Sequence, residues 1–363
     1  MAQRCLGILA GVGSLLWEAQ QAGCTIIGNL ETRGPYHTGR HLSWDLNFEA
    51  PLERDPRRLV DYAKSWQRPD LILGHPPCGS HSALGASSAP VDRMSDADRL
   101  AYFARRNAHR GELPFFIDAV NTLKPRAFAL DNLPKILRTS ATPEWWKSQL
   151  PKYWLTFIIM KNWDYGTPQL RERLWVVGIR RDQVGPFKFV PLTKRPKRAP
   201  TTTWEAFGDL PWEPWRQTPS IGHVHVAVNN RLTGDYRTTS HALNVSCAAQ
   251  LGLGFLSIPP DDAWPYRTQT GRIAVKIGRQ RLSWNKRSRT LTGLPSLHHP
   301  FTGWPLTPRE RARLMDWPDD FQLGNAQTDY DRFALMRLTL FTGKAVPSAF
   351  PRYLIPQLFD FLF

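Results

Sequence analysis

Asp70-Leu71-Ile72-Leu73-Gly74-His75-Pro76-Pro77-Cys78 is the stretch on which the reading of this chain turns. Its apolar run predicts a short buried strand, and the glycine and paired prolines predict where that strand stops. Successive prolines fix φ and withdraw two N–H donors, so the loop is stiff and cannot extend the strand. A thiol just beyond such a strand sits where α/β folds place their active sites. A rigid loop presenting one cysteine suits a nucleophile; taken alone, it suits a cysteine without chemistry equally well.

Working outward, the same kind of unit recurs. Ile8-Leu9-Ala10-Gly11-Val12-Gly13 reads as a strand running into a glycine-rich turn, with a helix over 15–23 after it. Thr25-Ile26-Ile27-Gly28-Asn29-Leu30 reads as a second strand, ending at Glu31. A helix over 115–123 precedes Phe128-Ala129-Leu130-Asp131-Asn132-Leu133-Pro134, a short strand ending in a carboxylate. Tyr165-Gly166-Thr167-Pro168-Gln169-Leu170-Arg171-Glu172-Arg173 then leads into the apolar strand Leu174-Trp175-Val176-Val177-Gly178-Ile179. Alternating strands and helices through about residue 185 predict a parallel sheet with crossover helices. The Pro- and Lys-rich run 191–200 reads as a solvated connection. Residues from 307 onward read as helical and are expected to pack back on the sheet.

Composition sets the outer limits. A chain of 363 residues can bury a substantial core and divide into two domains. A formal net charge of +16 and a pI near 10.0 point to a polyanionic partner, most simply nucleic acid. Between 218 and 290, ten Lys or Arg stand against three Asp, with Tyr236, Trp264 and Tyr266 interleaved. That pattern suits phosphate contact and groove readout, and equally a solvated basic surface. Cys5, Cys24, Cys78 and Cys247 lack paired or metal-like spacing, which argues for a reducing compartment and against disulfides or a zinc site. Cys5, Cys24 and Cys247 read as ordinary buried thiols. The apolar start from Leu6 to Trp17 imitates a signal peptide, but it is short and Glu18, Gln20 and Gln21 interrupt it. No run approaches the roughly 20 apolar residues of a membrane span.

In this order, the glycine-rich turn, Pro-Pro-Cys, Asp131-Asn132-Leu133 and Gln169-x-Arg171-x-Arg173 resemble the motifs of the DNA (cytosine-5) methyltransferases of bacterial and phage type. Downstream, Arg289-Thr290-Leu291-Thr292, His299-Pro300, Leu306-Thr307-Pro308-Arg309-Glu310 and Trp317-Pro318-Asp319-Asp320-Phe321 look like the family's ninth motif. Gly343-Lys344-Ala345-Val346-Pro347 looks like its tenth, and Thr203 to Pro211 like the segment before its target-recognition region. The resemblance spans nearly the whole chain. It implies a Rossmann-like class I methyltransferase domain with a mixed sheet, built from 1–210 and 300–363, and a small loop-rich target-recognition domain over 211–299. It further implies action in the bacterial cytoplasm on double-stranded DNA, by a monomer.

The resemblance also implies a chemistry. Cytosine C5 is a poor nucleophile, and a thiolate added at C6 turns the ring into an enamine whose C5 accepts a one-carbon group. Cys78 would supply that thiolate. Asp131 would face N3 and the 4-amino group, Arg173 would hold O2, and Gln169, Arg171, Asn132 and Pro77 would shape the pocket. The target base must leave the duplex stack for this to happen. S-adenosylmethionine is the implied donor, with Leu9, Gly11, Gly13, Glu31, Asp45 and Lys344 around it.

Several positions depart from the pattern. Leu9 replaces the usual Phe, Ser14 the next glycine, and Asp131 a Glu longer by one methylene. Gly79-Ser80-His81-Ser82 follows the cysteine in place of Gln-x-Phe-Ser. Lys344 stands where Asn is usual. An ammonium there either points harmlessly to solvent or phosphate, or partners a carboxylate on the transferred group, which would make the donor carboxy-S-adenosylmethionine. Two other readings stay open: a catalytically silent DNA-binding homologue and an RNA methyltransferase. Cys78, Asp131 and Arg173 argue against the first, and the basic segment between motifs against the second.

Overall fold

The computed structural model describes residues 3–30, 68–76, 112–139, 141–183, 201–210, 263–267, 273–292, 297–300, 306, 308–319, 321 and 342–362. In chain order its elements are β1 (Arg4–Ile8), α1 (Ser14–Gln21), β2 (Thr25–Leu30), β3 (Leu71–Gly74), α2 (Glu112–Leu123), β4 (Ala127–Asn132), α3 (Ile136–Thr139), α4 (Pro143–Gln149) and β5 (Tyr153–Lys161). There follow β6 (Gln169–Leu170), β7 (Glu172–Arg180), α5 (Thr203–Phe207), β8 (Ala263–Arg267), β9 (Ile273–Arg281), β10 (Ser288–Arg289), β11 (Leu297–His298), α6 (Pro308–Leu314) and α7 (Ala349–Leu362). By contacts, the chain divides into one unit of 1–162, 172–195 and 350–363 and a second of 163–171 and 196–349.

The first unit is built on a six-stranded sheet in the order β2-β1-β3-β4-β7-β5. Strands β2, β1, β3 and β4 run parallel, β7 pairs antiparallel to β4, and β5 pairs antiparallel to β7, so that β7 alone is reversed in the expected α/β mixed sheet. All four residues of β3 and all six of β4 are buried, as central strands covered on both faces must be. The edge strand β5 alternates less strictly and leaves Ile159 exposed.

Helix α2 packs Phe116, Val120 and Leu123 into the core cluster that holds Phe128, Leu130, Tyr153 and Val176. Phe128 meets Phe116 and Tyr153 edge-on, at 5.8 and 5.3 Å between ring centroids. Burial pushes the Tyr153 phenol well above the ordinary range, and its hydroxyl donates to the Pro125 carbonyl at 3.0 Å. Helix α1 was expected to reach Gly23 but ends at Gln21. Gly23 adopts φ +94°, and the amides of Gly23 and Cys24 turn back to the carbonyls of Gln20 and Ala19. Cys5 and Cys24 are free buried thiols, as expected; Cys247 lies outside the described residues.

Of the stretch from 307 onward, residues 350–363 belong by contacts to the first unit and 307–349 to the second. Phe350 lies against Trp175 at 5.2 Å between ring centroids. Arg352 grips Glu18 of α1 through two nitrogens at 3.1 and 3.2 Å, and Arg126 donates to the Leu362 carbonyl at 2.7 Å. No helix among the described residues is long and apolar enough to cross a membrane.

The second unit contains two small sheets, β10-β6 and β11-β9-β8. Thr202 and Glu205 close a capping box on α5. Arg313 ties α6 to Asp209 and Asp319, and those carboxylates raise its already high pKa further. The expected connection over 191–200 and most of the expected target-recognition segment fall outside the described residues.

Candidate active site

Strand register assembles the site. Ile8 pairs with Leu30 on one side and Gly74 on the other, and Gly74 pairs with Leu130. These four residues form one row across the parallel strands. The chain therefore leaves the sheet along a single edge after each: Leu9 from β1, His75 from β3, and Asp131 one step further along β4. Strand β1 is flanked by β2 and β3, the switch point at whose carboxyl end open α/β sheets bind ligands.

At the β1 edge the backbone adopts left-handed conformations at Leu9 (φ 57°), Gly11 (φ 62°) and Gly13 (φ 84°) before α1 begins. Asn29 of β2 pins this turn, accepting from the Ala10 amide at 3.3 Å and donating to the Gly11 carbonyl at 3.4 Å. A Cβ placed on Gly11 would meet nothing within 4 Å, so the turn presents open backbone. Such a turn suits a ligand approached closely by main-chain atoms. The Leu9 side chain itself points into the core cluster beside Leu6, Ile8 and Leu30. Glu31 and Asp45 lie outside the described residues.

At the β3 edge, Gly74 is required by close approach. A Cβ there would fall 2.3 Å from Phe116 Cε2 and 2.8 Å from the Ile8 carbonyl oxygen. His75 follows, its imidazole buried. Pro77 and Cys78 lie outside the described residues, and the loop is anchored at Pro76, whose carbonyl accepts from Asn132 Nδ2 at 3.3 Å. Asn132 Oδ1 accepts from the Leu133 amide at 2.8 Å, so its amide group is fixed at both ends.

Asp131 is the centre of this edge. It is 0% exposed, and neither carboxylate oxygen has a well-directed hydrogen bond. Among the described residues it is the one side chain with two such buried atoms. Two basic groups flank Oδ2: His75 Nδ1 at 2.8 Å and Arg173 Nε at 3.7 Å. Arg173, the second residue of β7, is buried and donates from Nη1 to the Glu172 carbonyl at 2.9 Å. The expected pair Asp131 and Arg173 is thus brought together in the first unit. His75 was not expected in it.

Gln169 and Arg171, expected to shape the base pocket, are placed in the second unit and bonded there. Gln169 Nε2 donates to the Leu314 carbonyl at 3.0 Å, and its Oε1 accepts from the Leu291 amide at 2.8 Å. Arg171 donates to the carbonyls of Leu291, Gly343 and Ala345 at 3.4, 3.3 and 2.7 Å. Lys344 sits between two of those acceptors, exposed, on a turn that Arg171 holds.

The profile of the family described as C-5 cytosine-specific DNA methylase matches residues 5–359. The chain is 28% identical over 288 residues to M.MjaORF1200P of Methanocaldococcus jannaschii, covering 78% of this chain but only 63% of that relative's length. It is 25% identical over 332 residues to the type II methyltransferase M.MthTI of Methanothermobacter thermautotrophicus, covering 86% of each. Among solved structures, a candidate DNA modification methyltransferase encoded within an E. coli prophage superposes with a TM-score of 0.62 at 18% identity, over 99% of both chains.

Proposed function

The chain belongs to the C-5 cytosine-specific DNA methylase family, and from that premise we propose that it transfers a one-carbon group to C5 of a flipped-out cytosine in duplex DNA. The observation that carries the reading is Asp131. It is a buried carboxyl with both oxygens lacking directed hydrogen bonds, beside a buried arginine, at the carboxyl edge of the sheet. A folded chain rarely keeps such a group unless a ligand completes it.

S-adenosylmethionine, the donor of this methyltransferase class, supplies an electrophilic methyl group when bound. The open turn at Gly11 and Gly13 fits its close approach, with Glu31 and Asp45 as further partners. In the reaction we assign, Cys78 adds to C6 of the base. Asp131 in its acid form gives a proton to N3 and accepts from the 4-amino group, while Arg173 neutralises charge at O2. Removal of the C5 proton and expulsion of the Cys78 thiolate restore the aromatic ring. The basic segment over 218–290 would hold the duplex by its phosphates and read the target. We take the protein to act as a monomer in the bacterial cytoplasm, where its DNA substrate lies.

Mass spectrometry of nucleosides from plasmid carried by cells expressing the protein, with Cys78→Ala alongside, tests this directly. A cytosine heavier by one methyl, absent in the variant, is the expected result. A carboxymethyl mass would instead assign the donor to carboxy-S-adenosylmethionine, with the exposed Lys344 as its cation. Unmodified DNA from cells that make the folded protein would overturn the reading.

A further inference from the structure

His75 stands three residues before the expected nucleophile, yet the reaction above gives it no part. Its Nδ1 hydrogen-bonds the Asp131 carbonyl oxygen at 3.2 Å and lies 2.8 Å from Asp131 Oδ2. A backbone carbonyl can only accept, so Nδ1 must carry the hydrogen. The N–H is directed at that carbonyl, and Oδ2 lies against the same nitrogen as a close polar contact without a directed hydrogen bond. The exposure of His75 is 8%, which holds that orientation in place. With Arg173 Nε 3.7 Å from the same oxygen, both basic groups gather at Oδ2. Oδ1 is left buried and unpartnered.

We propose that His75 is a positioning residue for base modification: it holds the Asp131 carboxyl by Oδ2 and so leaves Oδ1 to meet the N3 edge of the cytosine. The proposal rests on the reading of Asp131 as the acid that faces the base. When the acid's proton passes from Oδ1 to N3, the carboxylate left behind is met at Oδ2 by the His75 N–H and the Arg173 guanidinium. The charge is balanced without moving a heavy atom. The short acid and the histidine belong together. A glutamate at 131 would extend the chain by one C–C bond of about 1.5 Å, into the ring that now stands 2.8 Å from Oδ2.

The test is single-turnover methyl transfer from labelled S-adenosylmethionine to duplex DNA by the full chain, with DNA affinity and thermal melting measured beside it. His75→Ala is expected to lower the transfer rate by about 10- to 100-fold, the loss that follows when a reacting group is misplaced by about an ångström. DNA affinity should stay unchanged. His75→Asn, whose side-chain amide can donate to the same oxygens, should recover most of the rate. Asp131→Glu should be nearly inactive and should regain at least tenfold when combined with His75→Gly. A wild-type rate in His75→Ala, or equal losses in His75→Ala and His75→Asn at equal melting temperature, would overturn the assignment. Absence of transfer by the wild type would overturn the underlying reading and this one with it. If the alanine variant does not fold, the 15N spectrum of histidine-labelled wild type decides. A protonated Nδ1 that His75→Asn removes supports the proposal, and a bare Nδ1 refutes it.

Discussion

Arg171→Ala separates two roles for a residue that the motif order places in the base pocket and the structure places in a buried framework. The guanidinium donates to three backbone carbonyls, at 2.7 Å to Ala345, 3.3 Å to Gly343 and 3.4 Å to Leu291. A short charge-assisted bond such as that to Ala345 contributes about 1.5–3 kcal/mol, and the two longer ones together add about 1 kcal/mol. Truncation also empties the volume of a side chain that is only 1% exposed, which brings the total to roughly 3–5 kcal/mol. For a unit of this size that loss lowers the melting temperature by about 10 °C. The assay is differential scanning calorimetry of the full chain, paired with methyl transfer measured from 10 to 40 °C. Transfer should fall in step with the unfolded fraction and return on cooling. Arg171→Lys, which can keep one of the three bonds, should fall between alanine and wild type. A variant that melts within about 2 °C of wild type while losing transfer at every temperature would refute the framework role and return Arg171 to the base.

Asp131→Asn keeps the volume but cannot give a proton to N3, so transfer should drop by about 10²- to 10⁴-fold with DNA affinity retained, as gel shifts at fixed salt will show. Gly74→Ala would set a methyl 2.3 Å from the Phe116 ring and 2.8 Å from a backbone oxygen. A loss of about 1–3 kcal/mol in urea unfolding is expected, partly relieved by Phe116→Leu. Burial, reinforced by contact with Cys24, pushes the Cys5 thiol well above its ordinary value of 9.0. The folded state therefore keeps a proton that the unfolded chain releases, so this group's contribution is complete below about pH 9 and declines as pH rises toward the folded value. Urea melts from pH 8 to 10.5 should show that decline, and Cys5→Ala should flatten it; the same slope in both would count against it.

Much of this architecture is legible in the sequence because parallel strands buried on both faces must be apolar throughout. Leu71-Ile72-Leu73 and Phe128-Ala129-Leu130 announce themselves, and the glycine and proline punctuation after them marks where chemistry can sit. The contact between His75 and Asp131 is not legible. It depends on β3 and β4 being neighbours in register, and lateral strand order is set by crossover packing that local patterns do not encode. The main-chain partners of Gln169 and Arg171 are not legible for a related reason. A polar side chain in a motif looks the same in sequence whether it meets a substrate or a backbone carbonyl three segments away. The interior ending of α1 was misplaced because a glycine at φ +94° stops a helix two residues earlier than apolar periodicity alone suggests.

The distinction that separates framework from chemistry here is whether a buried polar group is already engaged. Gln169 and Arg171 are as deeply buried as Asp131, and their side chains are committed to main-chain atoms that must be satisfied anyway. Asp131 is buried at comparable depth beside two basic groups, and both of its oxygens still lack a directed bond. Among the described residues Asp131 is the one side chain with two buried polar atoms that lack a directed bond, and such a departure from local rules is expected where a fold is selected for activity rather than stability. His75 and Arg173 make the departure tolerable by setting an imidazole nitrogen and a guanidinium beside Oδ2 without consuming the hydrogen-bonding capacity of Oδ1. The acid is thereby kept both buried and available, and a nucleobase edge offering an acceptor at N3 and a donor at the 4-amino group matches what it lacks.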